Sequence, residues 1–218
     1  MGIKERRERE KQATRQLILD AARELFVNEG YEAVTMRAVA EKIEYSPTAI
    51  YVHFKDKASL VRELCAHDFL RFAEILNKVA RVQDPMERLR KMGKAYIAFA
   101  QEHPSTYKLL FMQRHPPDFE ESESAIQHGN PEQDAYAFLQ EQVKEARDAG
   151  CFKPEYTDVD VVAQTLWAGM HGLVSLNFVM EKDEWLTLKP LGKSAELMVD
   201  LLLGGFARPP GSGTTRAR

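Results

Sequence analysis

The stretch from Thr35 to Leu60, TMRAVAEKIEYSPTAIYVHFKDKASL, packs three helix starts and two breaks together, and that density restricts what the chain can fold into. Met36, Val39, Ala40 and Ile43 recur at helical spacing behind Thr35, a residue suited to an N-cap. The pattern stops at Glu44-Tyr45. Ser46 then offers a second cap, and Pro47 stands at the first helical position, where a missing N–H costs nothing. From this second helix Ala49, Ile50 and Phe54 turn inward, leaving Pro47, Thr48, Tyr51, Val52 and His53 to face elsewhere. Asp56 caps a third, longer helix beginning at Lys57. Two short helices joined by a turn of about three or four residues form a helix-turn-helix, whose second helix lies in the major groove of DNA.

With its flanks included, this stretch resembles the TetR family of bacterial transcriptional regulators. The motifs that carry the resemblance are Gly30-Tyr31 closing a long first helix, Thr35, Ala40, Ser46, the run Ile50-Tyr51-Val52-His53-Phe54, Lys55-Asp56-Lys57 and Leu60. They cover roughly the first third of the chain. The resemblance implies that Thr35 and Tyr51 hydrogen-bond phosphates, and that Lys57, with the helix start behind it, binds another. It also implies that Pro47, Thr48 and Ala49 face the bases, with Arg37 and His53 in reach of backbone or base. Side chains this short and apolar suit thymine methyl groups better than bidentate guanine recognition. One position departs from the family pattern. Glu44 stands where the family usually has glycine, so either Glu44 takes a left-handed backbone or the turn has another shape.

A length of 218 residues allows one or two domains, and 44% apolar with 29% charged residues is ordinary globular composition. The net charge of -3 argues against a protein that coats nucleic acid without regard to sequence. A specific reader needs only a local basic surface, which Lys4, Arg6, Arg7, Lys11 and Arg15 supply against partial cancellation by Glu5, Glu8 and Glu10. Cys65 and Cys151 lack metal-ligand spacing and read as reduced thiols of a cytoplasmic protein, with a redox-sensing pair as the alternative. The charged start has no secretory pattern, and Arg6 spoils a myristoylation motif. Val159 to Met180 approaches the length of a membrane span, but Gln164, His171 and Asn177 interrupt it, so a buried helix fits better.

Helical periodicity continues to the end and no strand-like alternation survives, so the expected fold is all-α. One long helix covers Ile3 to Asn28, with Ile18, Ala21, Ala22, Leu25 and Phe26 on one face and a charged half before Gln16. The helix opened by Lys57 runs to about Arg81 and links two domains. Further helices are expected over Pro85 to Glu102, Ser105 to Arg114, Pro131 to Ala149, Thr157 or Asp158 to Met180, and Leu191 to Phe206. His115 to Asn130 has paired prolines and no apolar period, as a mobile loop would. The domains are therefore set at 1–56 for DNA binding, 57–206 for regulation and dimerisation, and 207–218 for a disordered tail.

The segment Trp167-Ala168-Gly169-Met170-His171-Gly172 resembles a TetR subclass marked by Trp and His-Gly on a late helix. Ala163, Ala168, Gly169 and Gly172 allow another helix to approach closely, while Leu173, Leu176 and Val179 supply apolar area. This helix and the last one, striped with Leu197, Met198, Leu201 and Leu202, are candidates for a two-fold interface, and the resemblance implies a four-helix bundle between two copies. Closure of a single chain's own core is the alternative. Phe72, Tyr96, Phe99, Tyr107, Phe111, Met112, Trp167, Met170 and His171 are candidates to line a site for a mostly apolar organic effector. The same residues at the same spacing also describe plain core. His171 has no second ligand or base at matching spacing and reads as a hydrogen-bonded buried histidine. No nucleophile–base set, metal spacing or phosphate loop is present, so no catalysis, cofactor or metal is expected. The reading is a homodimeric regulator, a repressor, that binds a pseudo-palindromic double-stranded DNA operator and is released by a small molecule. A small all-α enzyme and a helix-turn-helix adaptor that grips protein are the alternatives.

Overall fold

A computed structural model describes residues 2–113, 126–181 and 185–209. Among them are nine α-helices and no strand beyond one isolated antiparallel pairing of Phe152 with Ala207. They are α1 (Ile3–Ala33), α2 (Met36–Lys42), α3 (Pro47–Tyr51), α4 (Lys57–Asn77), α5 (Pro85–Glu102), α6 (Pro104–Phe111), α7 (Ala135–Asp148), α8 (Val159–Met180) and α9 (Leu191–Phe206). A short 3-10 turn, Lys78–Arg81, follows α4. The chain forms two compact units, Met1–Leu70 with His103–Ile126, and Arg71–Glu102 with Gln127–Arg218. These packing units differ from the division at residue 56, because α4, which begins at Lys57, belongs to the first unit as far as Leu70, and α6 joins that unit as well.

In the first unit α2 has 7 residues and α3 has 5, too few to hold a helix alone in water. Burial holds them. Val39 and Ala40 of α2 and Ile50 of α3 are fully excluded from solvent, as are Ile18 and Ala22 of α1 and Leu60 and Leu64 of α4. Each large apolar side chain among them contributes about 1.5–3 kcal/mol, more than the loss from fraying of a short helix. The apolar face of α1 starts only at Ile18, and the positions before Thr14 whose side chains are described are exposed. Gly30, with φ of 80°, interrupts α1, and the helix resumes for a last turn beyond Asn28. A buried ion pair ties α1 to α4: Arg23 Nε and Nη2 donate to Asp68 at 2.9 and 2.8 Å. α6 packs against α1, burying Tyr107, Leu109 and Leu110, and Phe111 meets Phe69 edge-on at 5.9 Å.

In the second unit α5 packs against α7, α8 and α9, burying Leu89, Met92, Tyr96, Ile97 and Phe99. Two glycines set the close approaches. A Cβ on Gly93 would stand 2.7 Å from Val199 of α9, and one on Gly169 would stand 2.7 Å from Leu202. Helix α7 starts later than its composition suggests: Asp134 is the N-cap, accepting from the N–H groups of Tyr136 and Ala137, so Pro131 to Gln133 form a turn instead. Helix α9 has two apolar faces: Leu191, Ala195, Val199, Leu203 and Phe206 face the core, whereas Leu197 and Leu201 of the stripe expected at an interface point outward. The chain from Ala207 to Pro209 stays against the unit, with Arg208 N–H donating to the Cys151 carbonyl at 2.8 Å. The expected loop at 115–130 is described only from Ile126, where turns are closed by hydrogen bonds, and residues 210–218 of the expected tail lie outside the described residues. No described helix is long and apolar enough to cross a membrane.

Candidate nucleic-acid interface

The turn between α2 and α3 decides how α3 is presented. Glu44 adopts φ of 59°, so of the two alternatives the left-handed backbone is the one realised. Tyr45 N–H donates to the Ala40 carbonyl at 2.9 Å and Glu44 N–H to the Glu41 carbonyl at 3.1 Å. This pair is the Schellman closure that usually places glycine at the left-handed position. Helix α2 thus ends as it would with glycine, at a conformational cost that glycine would not incur.

Caps then fix both short helices. Thr35 Oγ1 accepts from Ala38 N–H at 3.1 Å, and Ser46 Oγ from Ala49 N–H at 3.3 Å. Both hydroxyls keep a hydrogen to donate, so Thr35 can cap its helix and still contact a phosphate. Asp56 and Ser59 form the reciprocal cap of α4, with Ser59 N–H to Asp56 Oδ1 at 2.7 Å and Asp56 N–H to Ser59 Oγ at 3.1 Å. The backbone bond holds the Asp56 carboxyl below its ordinary pKa despite some desolvation.

Of the residues assigned to DNA, Thr35, Arg37, Pro47, Thr48 and Tyr51 are exposed, and Ala49 and His53 are half-buried. They lie on α2, α3 and the turn after it. Arg37 is paired on the surface with Glu41 at 2.8 Å, an exposed contact of little energy that a phosphate can displace. The His53 ring has Nδ1 buried without a hydrogen-bond partner. Desolvation, then the charges of Arg15 and Lys11, lower its pKa, so the neutral ring is favoured. Lys57 is placed differently from a free phosphate ligand. Its ammonium donates to the carbonyls of Tyr31 at 2.7 Å and Val34 at 3.0 Å and stands 4.2 Å from the centre of the Tyr31 ring. It therefore braces the end of α1 against the start of α4, with one N–H left to offer.

Arg15 requires a correction. Expected as part of the basic surface, it turns inward: Nε and Nη2 grip both oxygens of Glu63, Nη1 donates to the His53 carbonyl at 2.8 Å, and the guanidinium lies 4.4 Å over Phe54. Nothing in the local sequence distinguishes Arg15 from Arg6 or Arg7. The signal is non-local, since its partners stand 38 and 48 positions away.

The effector candidates divide between the units. Tyr107, Phe111 and Met112 belong to the first, where the Tyr107 and Phe111 rings lie 5.0 Å apart. Phe72, Tyr96, Phe99, Trp167, Met170 and His171 belong to the second. There Trp167 Nε1 donates to Tyr96 Oη at 3.2 Å, Tyr96 Oη meets His171 Nδ1 at 3.2 Å, and His171 Nε2 meets Ser175 Oγ at 3.0 Å. The Phe72 ring lies tilted at 4.6 Å from Phe99 and meets Tyr96 edge-on at 5.7 Å. Burial lowers the His171 pKa. Sequence reasoning missed Tyr136, whose ring lies 5.9 Å from Trp167 and whose hydroxyl is buried without a hydrogen-bond partner. Its position at the second residue of α7 was hidden by the late helix start. Burial, then the charge of Asp68, pushes the Cys65 thiol up to about 12, which leaves little thiolate for redox chemistry at that residue. No cluster of three or more metal-binding side chains occurs among the described residues.

Residues 18–64 match the sequence profile of the bacterial regulatory proteins, tetR family, and residues 89–202 that of the tetracyclin repressor-like C-terminal domain. The HTH-type transcriptional repressor AcnR of Corynebacterium diphtheriae is 42% identical over 62 residues, which is 28% of this chain and 33% of that protein. The HTH-type transcriptional regulator UidR of Escherichia coli is 35% identical over 78 residues, 36% of this chain and 37% of that one. The matched stretch thus spans about a third of these curated relatives. Among solved structures, SmeT, the repressor of the Stenotrophomonas maltophilia multidrug efflux pump SmeDEF, aligns with a TM-score of 0.68 at 22% identity, covering 95% of this chain and 99% of that one. A transcriptional regulator FadR from Bacillus subtilis, in complex with stearoyl-CoA, aligns with a TM-score of 0.72 at 16% identity, covering 88% and 98%.

Proposed function

The chain belongs to the TetR family of bacterial transcriptional regulators, and on that premise we propose that it is a repressor that binds a pseudo-palindromic operator as a homodimer and leaves it when a small organic effector binds. The observation that carries the DNA-reading part is the presentation of α3. Pro47, Thr48 and Tyr51 are exposed on a helix whose other face, Ile50 with Phe54 just beyond, is sealed into the unit. One helix this short reads only a few base pairs, so two copies about one turn of DNA apart, roughly 34 Å, are needed for a specific site.

The second copy has a surface to meet. Val161, Leu176 and Val179 of α8 and Leu197 and Leu201 of α9 are apolar and between 48% and 64% exposed, so both helices carry apolar residues on a solvent face as well as a core face. For the effector, the bonded run Trp167–Tyr96–His171–Ser175 among aromatic rings favours an apolar molecule with a hydrogen-bonding group over a charged one. That a protein of this fold was solved in complex with stearoyl-CoA is consistent with an apolar ligand, and this chain's effector is proposed from its own residues. An effector that binds the wrongly spaced dimer better withdraws the protein from DNA.

Selection of bound duplexes from a random pool tests the reading. A two-fold consensus with half-sites about ten base pairs apart is expected. No enrichment, or an asymmetric single half-site, would overturn it.

A further inference from the structure

Arg15 of α1 joins the turn after α3 to α4 within the first unit. Its planar fork takes both Glu63 oxygens, Nε to Oε1 at 2.6 Å, while Nη1 holds the His53 carbonyl at 2.8 Å. That carbonyl lies in the turn that closes α3, where backbone acceptors face outward without helical partners and favour a cation. The Phe54 ring below the guanidinium is 3% exposed, so the fork cannot swing without uncovering it. Only an arginine meets a carboxylate bidentately, a carbonyl and an aromatic face at once. Arg15 and Glu63 keep 27% and 38% of their side-chain surface exposed, so solvent weakens the Coulomb attraction and the pair matters for its geometry.

We propose that Arg15, held by Glu63, is a positioning residue for operator recognition: it fixes the tilt of α3 and so the register of Pro47, Thr48 and Ala49 on the bases, without itself neutralising a phosphate. The inference rests on the DNA-reading function proposed above. It has a consequence of unusual sign. Glu63 is an acid beside a DNA-binding surface, so its removal should strengthen binding if charge alone mattered. Positioning requires the reverse on specific DNA.

The test uses the full chain, the duplex that wild-type protein selects from a random pool, and a scrambled duplex of equal length. Affinity for both is read by fluorescence anisotropy across a salt series for wild type, Arg15→Lys, Arg15→Gln and Glu63→Gln, with thermal midpoints recorded alongside. Each variant should lose about tenfold on the selected duplex, change less than about twofold on the scrambled one, and keep the wild-type salt slope. Arg15→Lys retains the charge and lacks the fork, so it separates geometry from electrostatics and is the mildest change to the fold. An equal loss on both duplexes with a slope lower by about one would make Arg15 a phosphate ligand and overturn the proposal. So would tighter binding by Glu63→Gln, or a lowered midpoint with an unchanged preference between duplexes. Failure of the wild-type protein to select any duplex would instead refute the DNA-reading function.

Discussion

Asp68→Asn tests how the first unit is held together. Asp68 is 1% exposed on α4, and each of its carboxylate oxygens receives one prong of Arg23, at 2.9 and 2.8 Å. Asparagine keeps the shape but offers one oxygen and one NH2, so one prong of the guanidinium would meet a donor. The variant loses a charge-assisted hydrogen bond and the Coulomb attraction while Arg23 keeps its charge. Removing one partner of a buried pair costs about 3–5 kcal/mol. Two features reduce that figure: the Arg23 side chain keeps 15% of its surface in solvent, and Asp20 accepts from its Nη1 at 2.7 Å. The expected loss is therefore about 2–3 kcal/mol, a fall in thermal midpoint of about 5–10 °C for a chain of this length. Urea unfolding followed by circular dichroism measures it, with an unchanged slope indicating the same cooperative unit. The decisive control is the double variant Arg23→Met with Asp68→Leu, which removes both charges. It should recover most of the loss, because an orphaned cation and not a missing bond is what destabilises. A single-variant loss below about 0.5 kcal/mol, or a double variant no better than the single, would refute this reasoning.

Glu44→Gly should stabilise the chain by about 0.5–1 kcal/mol in the same urea experiment, because φ of 59° suits glycine, whereas Glu44→Ala should not; equal effects would mean that charge and not backbone is at work. Lys57→Ala should lower the midpoint, since it removes the brace to Tyr31 and Val34, and should also reduce the salt slope of operator binding by about one. A lower midpoint with an unchanged slope would leave Lys57 as a brace only. Leu197→Glu with Leu201→Glu, at positions 61% and 64% exposed in one chain, should yield folded monomers with weakened operator binding in sedimentation and anisotropy runs; an intact dimer would remove α9 from the interface. The half-buried His171 has a pKa below its ordinary 6.5, so the stability that depends on its neutral form is complete above pH 6.5 and is lost as pH falls through the lower folded value. His171→Gln should make the acid loss of stability below about pH 6.5 shallower, with His53 contributing in the same direction, and an unaltered pH profile would exclude His171.

What the sequence makes legible here is whatever is encoded within a few residues. Thr35, Ser46 and Asp56 are caps because their oxygens reach N–H groups three positions on, and the Leu191–Phe206 and Val159–Met180 helices end where their apolar periods end. The start of α7 was misjudged because Asp134 competes with Pro131 as a start signal, and the Asp134 carboxylate, accepting two N–H groups, wins. Cation roles were illegible for a deeper reason. Arg15, Arg23 and Lys57 look like surface charge in any local window, and each is claimed by a partner at least 23 positions away. The family resemblance points to the residues around α3 and says nothing of Asp68, Glu63 or Tyr136, whose partners are distant in sequence.

That division bears on how a chain of net charge -3 can read DNA. Four cations of the first unit hold protein to protein: Arg15 to Glu63 and His53, Arg23 to Asp68, Lys42 to Glu24, Lys57 to two carbonyls. Each cation engaged internally is one fewer to neutralise a phosphate, which lowers the sequence-independent part of the affinity. Specific binding then depends on how rigidly α3 is presented, since a loosely held helix would contribute neither charge nor register. The same cations that weaken non-specific binding by facing inward supply that rigidity. Turning a cation inward is thus a means of raising the preference for operator over bulk DNA, and a specific reader needs a local basic surface and a rigid helix more than a basic chain.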